Sequence, residues 1–147
     1  MKRIYPDRDY CMGCGLCQLA CMTVRSESKD LIIAYNEERA KGLSSCIMVF
    51  ENDDNCVAVS CRHCQEPDCV AVCISGALTK DEISGITVYD SDKCLGCWSC
   101  LMACPYGAIQ RNKMENKIIK CDRCEERVEG PACVEACPNR ALKYEER

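Results

Sequence analysis

Cys94-Leu95-Gly96-Cys97-Trp98-Ser99-Cys100-Leu101-Met102-Ala103-Cys104-Pro105 is the stretch on which the reading of this chain turns: four cysteines at gaps of two, two and three residues, closed by a proline. Working outward, the pattern recurs three times. Upstream stands Cys61-x2-Cys64-x4-Cys69-x3-Cys73, its second gap lengthened by Gln65 to Asp68, and before it Cys11-x2-Cys14-x2-Cys17-x3-Cys21. Downstream, Cys121-x2-Cys124-x8-Cys133-x3-Cys137-Pro138 keeps both ends and stretches the middle through Glu125 to Ala132. In chain order these are motifs I (from Cys11), II (from Cys61), III (from Cys94) and IV (from Cys121). They take sixteen of the 18 cysteines in 147 residues.

Three thiolates two residues apart let one tight loop wrap three corners of an iron–sulfur cube. Its backbone N–H groups then point at the sulfurs and stabilise their negative charge. Motifs I and III have the spacing of bacterial [4Fe–4S] ferredoxins, and motif III has the proline as well. Gly13, Gly15 and Gly96 suit backbone passing close to inorganic sulfide. Zinc sites pair two C-x2-C hooks, or a hook with histidines, whereas each hook here is followed by a third and a fourth cysteine and the chain has one histidine, His63. A radical-enzyme cluster needs C-x3-C-x2-C, and reading on from Cys17, Cys69, Cys100 and Cys133 the required third cysteine is absent each time. The pattern predicts four [4Fe–4S] clusters. Their iron ligands are Cys11, Cys14, Cys17, Cys21, Cys61, Cys64, Cys69, Cys73, Cys94, Cys97, Cys100, Cys104, Cys121, Cys124, Cys133 and Cys137.

Composition agrees. The apolar fraction of 48% counts the cysteines; without them it is roughly 36%, low for a self-sufficient core. With one Phe and one Trp, a chain of this size needs staples or metals to fold, and ligation supplies much of the folding free energy. Met1-Lys2-Arg3-Ile4-Tyr5-Pro6-Asp7 shows no apolar signal core and no twin arginine, and no apolar run approaches bilayer length. The expectation is a cytoplasmic protein without direct membrane insertion, where thiols stay reduced and metal ligation outranks disulfides. The formal net charge is −4; with sixteen thiolates on four cubes it becomes roughly −12. No basic patch stands out, so nucleic acid is not an expected partner.

The repeat extends past the ligands. Cys73-Ile-Ser-Gly-Ala-Leu78, Cys104-Pro-Tyr-Gly-Ala-Ile109 and Cys137-Pro-Asn-Arg-Ala-Leu142 share an ending that reads as a short helix turning into a strand. The fourth cysteine of each motif stands where the loop is expected to enter a helix, with proline fixing that turn. Gly85–Tyr89 and Lys117–Lys120 read as strands leading into motifs III and IV. Strand, loop, helix and strand, twice over, predict an α+β fold of two bacterial-ferredoxin-like units. Between motifs I and II, Ser28–Lys41 reads as a helix capped by Ser28 or Asp30 and ended by Gly42. Ile47–Phe50 and Cys56–Val59 read as a hairpin around Asn52-Asp-Asp-Asn55.

The four motifs, with the x4 and x8 expansions, resemble the four-cluster ferredoxin-like subunits of anaerobic oxidoreductases: the electron-transfer subunits of dimethyl sulfoxide reductase, formate dehydrogenase and formate hydrogenlyase. Arg25-Ser-Glu-Ser-Lys-Asp-Leu31 looks most like the ferredoxin-like subunit that accompanies carbon monoxide dehydrogenase. The resemblance implies nesting, with an outer unit of 1–27 and 105–147 (motifs I and IV), an insertion of helix and hairpin at 28–60, and an inner unit of 61–104 (motifs II and III). Spacing alone also fits a sequential pairing, I with II and III with IV. In two-cluster ferredoxins the fourth cysteine of one run ligates the other cluster. With nesting, that implies the sets Cys11/Cys14/Cys17/Cys137, Cys121/Cys124/Cys133/Cys21, Cys61/Cys64/Cys69/Cys104 and Cys94/Cys97/Cys100/Cys73.

Outside the motifs, Cys46 and Cys56 read as small buried residues of the hairpin, or as redox-active or interface thiols. His63 reads as a donor behind the ligands or a surface residue. Arg62, Lys93, Lys120 and Arg123 stand beside ligands, where they either raise cluster potentials or are solvated surface charge. Met22 and Ile74 stand in motifs I and II where III and IV have proline, so the helix geometry there is expected to differ. No Gly-rich phosphate loop or nucleophile–histidine pair is present. The chain therefore reads as no enzyme but an electron-transfer subunit. Its partners are expected to be a low-potential donor, carbon monoxide dehydrogenase first, and an acceptor that is a flavin or NAD(P) oxidoreductase or a hydrogenase. The alternatives are an electron-transfer subunit of a formate dehydrogenase, hydrogenase or molybdopterin oxidoreductase and, in a different class, an iron–sulfur redox sensor.

Overall fold

The computed structural model describes residues 1–112 and 114–147. Among the described residues eight short strands form four antiparallel pairs, and the first of these joins the two ends of the chain. β1 (Arg3–Pro6) lies against β8 (Leu142–Glu145), with Arg3 opposite Glu145 and Pro6 opposite Leu142. The expected hairpin is present as β2 (Met48–Asn52) and β3 (Asn55–Val59). The turn residue Asp53 takes a left-handed φ of 45°, which a short polar side chain tolerates in a two-residue turn. β4 (Leu78–Lys80) pairs with β5 (Thr87–Tyr89), and β6 (Gln110–Arg111) with β7 (Ile118–Ile119). The predicted strands before motifs III and IV are thus real but shorter: Gly85 and Ile86 stay in the connection from β4 to β5, and Lys117 and Lys120 fall just outside β7.

The helices depart from expectation in place and length. α1 (Leu16–Arg25), α3 (Asp68–Ala71), α4 (Ser99–Ala103) and α5 (Ala132–Glu135) each contain the third cysteine of a motif. Except in α1, the fourth cysteine follows the helix, so Pro105 and Pro138 come after α4 and α5 rather than opening them. Proline cannot continue a helix. Motif I has Met22 at that place, and α1 runs on through it to Arg25. The long helix expected over Ser28–Lys41 is α2 (Leu31–Ile33) continued by a π-helical turn, Ala34–Glu38. Asp30 is its cap and accepts from the amides of Ile32 at 2.8 Å and Ile33 at 3.0 Å. The Glu38 carboxylate accepts from the amides of Glu27 and Ser28 at 2.9 and 3.0 Å. That tie folds the segment back onto α1.

Packing follows the strand pairs. α1 lies against α5, and α3 against α4. One core gathers Ile4, Ile47, Ala58, Ala108 and Leu142 around Cys17, Cys21, Cys46, Cys61, Cys121 and Cys133; the other gathers Leu78, Ile109 and Ile118 around Cys100. Cysteines occupy the positions that aliphatic side chains fill in most domains of this size. Cys46 lies just before the hairpin rather than in it, and it is fully buried.

Candidate metal centres

One backbone shape recurs in all four motifs. The second residue after the first cysteine takes a left-handed φ in each: Gly13 at 71°, His63 at 45°, Gly96 at 69° and Arg123 at 64°. In motifs II and IV the amide of that residue is seen aimed at sulfur. His63 N donates to Cys61 Sγ at 3.4 Å and Arg123 N to Cys121 Sγ at 3.2 Å. Fourth cysteines show a second repeat, with Ala108 N donating to Cys104 Sγ at 3.5 Å and Ala141 N to Cys137 Sγ at 3.2 Å. These amides stabilise thiolate charge. Only glycine takes this φ without strain, so His63 and Arg123 mark a conformation the loop imposes on them.

Three partly open cavities lie among these loops. The first, about 340 Å³ counting the solvent at its mouth, is lined by Cys11, Cys14, Cys17 and Cys137; the second, about 330 Å³ on the same count, by Cys61, Cys64, Cys69 and Cys104; the third, about 310 Å³, by Cys73, Cys94, Cys97 and Cys100. Each draws three thiols from one motif and the fourth from another. The remaining four, Cys21, Cys121, Cys124 and Cys133, lie near the contact of α1 with α5, where burial first, and then the neighbouring Cys121, Cys21 and Cys124, hold Cys133 protonated. Cys14 and Cys97 are exposed, each at the mouth of its own cavity, whereas Cys21, Cys121 and Cys133 are buried.

Among the described residues, no three His, Cys, Asp or Glu side chains converge as they would on a single metal ion. Four thiols spread around a cavity suit a polynuclear centre instead. One orphaned hydroxyl points the same way. Among the described residues Thr87 Oγ1, at the border of the second cavity, is buried without a partner, while Tyr89 Oη, at the border of the third, faces the Cys94 thiol. A sulfide-bearing cluster supplies acceptors at such places. Burial pushes Cys17 and Cys69 up to about 11 and Cys121 up to about 12, so without metal these thiols stay protonated and iron must displace the protons. Cys21 is pulled the other way by Cys46, whose side chain lies beside it and whose N–H donates to Cys21 Sγ at 3.2 Å.

Residues outside the ligand sets differ from expectation. His63 is not a surface residue. It is buried, its Nδ1 accepts from Thr87 N at 3.1 Å, and burial drives its pKa down to about 3, keeping it neutral, so the ring proton sits on Nε2, which is buried without a partner among the described residues. Arg62 stacks between Tyr5 and Tyr106, at 4.7 and 5.3 Å from the ring centres. Lys93 is exposed and pairs with Asp90, but Lys120 is only 4% exposed. Cys56 lies beside Gly13, where a Cβ would stand 2.9 Å from its Sγ. The π-helical turn, with Leu31, Ile32, Tyr35 and Arg39, borders a groove that reaches Cys14. Nothing in the pattern of residues signals that proximity.

Thiol-lined cavities with amides aimed at the sulfurs define an iron–sulfur protein of the ferredoxin-like α+β class, carrying multiple [4Fe–4S] clusters. The family described as 4Fe-4S dicluster domain matches residues 53–147, and the chain belongs to it. Its relatives are electron-transfer subunits. The B subunit of the anaerobic dimethyl sulfoxide reductase of Escherichia coli is 40% identical over 94% of this chain and 70% of its own length. Electron transport protein HydN of the same organism is 32% identical over 95% and 85%. The benzoyl coenzyme A reductase active-site complex BamBC shares the fold across 100% of this chain and 76% of its own, with a TM-score of 0.54 and 24% identity. This chain is accordingly an iron–sulfur electron-transfer subunit of an oxidoreductase system. Among the described residues no helix is long and apolar enough to cross a membrane.

Proposed function

We propose that the chain holds four [4Fe–4S] clusters on crossed ligand sets and passes single electrons along them in a row. The sets are Cys11/Cys14/Cys17/Cys137, Cys21/Cys121/Cys124/Cys133, Cys61/Cys64/Cys69/Cys104 and Cys73/Cys94/Cys97/Cys100. The observation that carries this is the lining of three cavities by four thiols each, three from one motif and one from its partner. The β1–β8 pair with α1 against α5, and α3 against α4, support a nested division into 1–27 with 105–147 around 61–104, with 28–60 inserted. The β6–β7 hairpin joins the two, since Ile109 and Ile118 pack with Leu78 and Cys100. Neighbours support an order in the row. Cys17, Cys133, Cys121 and Cys61 share one core, and α3 packs on α4. The row therefore has exposed Cys14 at one end and exposed Cys97 at the other.

When bound, the clusters supply one-electron chemistry and the protein supplies everything else. The thiols fix position, the amides stabilise sulfur charge, and burial of Cys21, Cys121 and Cys133 keeps water from the set they share. Partners are protein redox enzymes working in the cytosol, where thiols stay reduced. The donor we propose first is carbon monoxide dehydrogenase, supported by the segment Arg25–Leu31 alone, with a flavin or NAD(P) oxidoreductase or a hydrogenase as acceptor. A second reading is favoured by the 40% identity to a dimethyl sulfoxide reductase B subunit: delivery of electrons to a terminal reductase of that kind. Anaerobically purified protein should contain about sixteen iron and sixteen sulfide. Mixed with reduced carbon monoxide dehydrogenase, its visible absorbance should bleach. Bleaching by another dehydrogenase but not that one would replace the donor and keep the relay; stoichiometric zinc without sulfide would end the reading.

A further inference from the structure

Between the two halves of the row lies a buried positive charge without an anionic side chain to answer it. Lys120 is only 4% exposed. Its Nζ donates to Thr87 O at 2.7 Å and to Cys121 O at 3.1 Å. Lys80 places a second ammonium beside it, donating to Cys64 O at 2.7 Å, Gly85 O at 2.6 Å and His63 O at 3.3 Å. Among the described residues neither lysine pairs with a carboxylate, although seven ion pairs form elsewhere. Carbonyl dipoles satisfy the donors but do not neutralise the charge, and a buried charge without a counter-ion is costly to keep.

The hydrogen bonds around Lys120 run from one ligand set to the other. Cys61 Sγ accepts from His63 N, His63 Nδ1 from Thr87 N, and Thr87 O from Lys120 Nζ. On the far side the Cys46 thiol donates to Lys120 O at 3.3 Å, and Cys46 N donates to Cys21 Sγ at 3.2 Å. One residue thus joins Cys61 of the inner unit to Cys21 and Cys121 of the outer unit. Its counterpart in motif III, Lys93, occupies the same place before the first cysteine but is exposed and paired with Asp90 at 2.9 Å. The repeat has put the same residue type at two equivalent places and buried only the one at the junction.

We propose that Lys120 is a positioning charge: its ammonium stabilises an added electron at the two middle sites, on Cys61/Cys64/Cys69/Cys104 and Cys21/Cys121/Cys124/Cys133, and so sets the potential at which electrons cross between the units. The proposal rests on the four-site reading above. The thiolate-bound centres are the anions that answer the buried charge, and that attraction strengthens with each electron taken up.

The test is a mediated redox titration of anaerobic holoprotein followed by electron paramagnetic resonance, with iron and sulfide measured on every sample. The middle signals are those altered by Cys64→Ser and Cys124→Ser. In Lys120→Met that retains its iron, the one-electron reduction equilibrium of these two signals falls tenfold or more, about 59 mV, while the end signals stay in place. Lys120→Arg keeps them within about threefold of wild type, and Lys93→Met moves none. Wild-type potentials in cluster-replete Lys120→Met overturn the proposal. So does an equal shift of all four signals, or a shift in Lys120→Arg as large as that in Lys120→Met. If Lys120→Met loses its iron, Lys80→Met is titrated instead, and unshifted middle signals there overturn it. Wild-type protein with fewer than four clusters contradicts the four-site reading instead.

Discussion

The two end motifs and the two middle motifs share a backbone and differ in what surrounds it. Motifs I and III carry glycine at the left-handed position, and each leaves one cysteine exposed, Cys14 and Cys97. Motifs II and IV force His63 and Arg123 into the same conformation and surround their cysteines with Lys80, Lys120 and the buried His63 ring. Glycine serves where the loop must stay slim. A Cβ on Gly96 would run into the Asn116 carbonyl, and one on Gly13 would press on Cys56 Sγ at 2.9 Å. Larger side chains serve where the loop is packed from behind. In the row proposed above, exposed Cys14 and Cys97 mark the places where a partner would exchange electrons.

The largest effect expected is one that removes this contrast altogether. Stripping the iron should abolish cooperative structure throughout the chain, because cysteines fill the core positions of both halves. Chelated protein that kept its native circular dichroism and a sharp melt would show that the aliphatic core suffices.

Substitutions at the repeated left-handed position sharpen the comparison. Gly96→Ala should lose stability by more than the left-handed cost alone, about 1–2 kcal/mol, since the clash is with backbone. Gly13→Ala should lose less, because a side-chain sulfur can shift. Arg123→Gly runs the other way: it relieves the strain at φ 64° and gives up one hydrogen bond, Nη1 to Lys2 O at 3.2 Å. Its stability should stay within about 1 kcal/mol of wild type. Thermal melts of the holoproteins, with iron content measured, rank the three. A loss in Arg123→Gly as large as that in Gly96→Ala would mean the shared φ is incidental.

Much of this is legible from residues alone, and the reasons for the rest are physical. The hairpin can be read because apolar segments flank Asn52-Asp-Asp-Asn55, a local pattern that local chemistry decides. The sixteen motif cysteines stand out by their spacing. Helix placement departs from expectation because a proline after the fourth cysteine is compatible with opening a helix or closing one, and here α4 and α5 close before it. The segment after Ser28 breaks into a π-helical turn because Glu38 reaches back to the amides of Glu27 and Ser28, a contact that hydrophobic periodicity does not register. His63 carries a signal that aligning the motifs reveals, since it stands where two others have glycine. Lys120 carries none, because burial at that point is set by Thr87, 33 residues away in sequence. Cys46 is likewise defined by Cys21, at a separation of 25 residues.

The crossing of ligands between motifs is the claim on which the row, its order and its two kinds of site all depend. Electron paramagnetic resonance of reduced Cys21→Ser, Cys124→Ser and Cys14→Ser proteins, prepared anaerobically, tests it most directly. Crossed sets predict that Cys21→Ser and Cys124→Ser perturb one and the same signal and that Cys14→Ser perturbs another, although Cys21 shares a motif with Cys14. If Cys21→Ser and Cys14→Ser instead alter the same signal and Cys124→Ser a different one, each motif serves its own cluster and the account is contradicted.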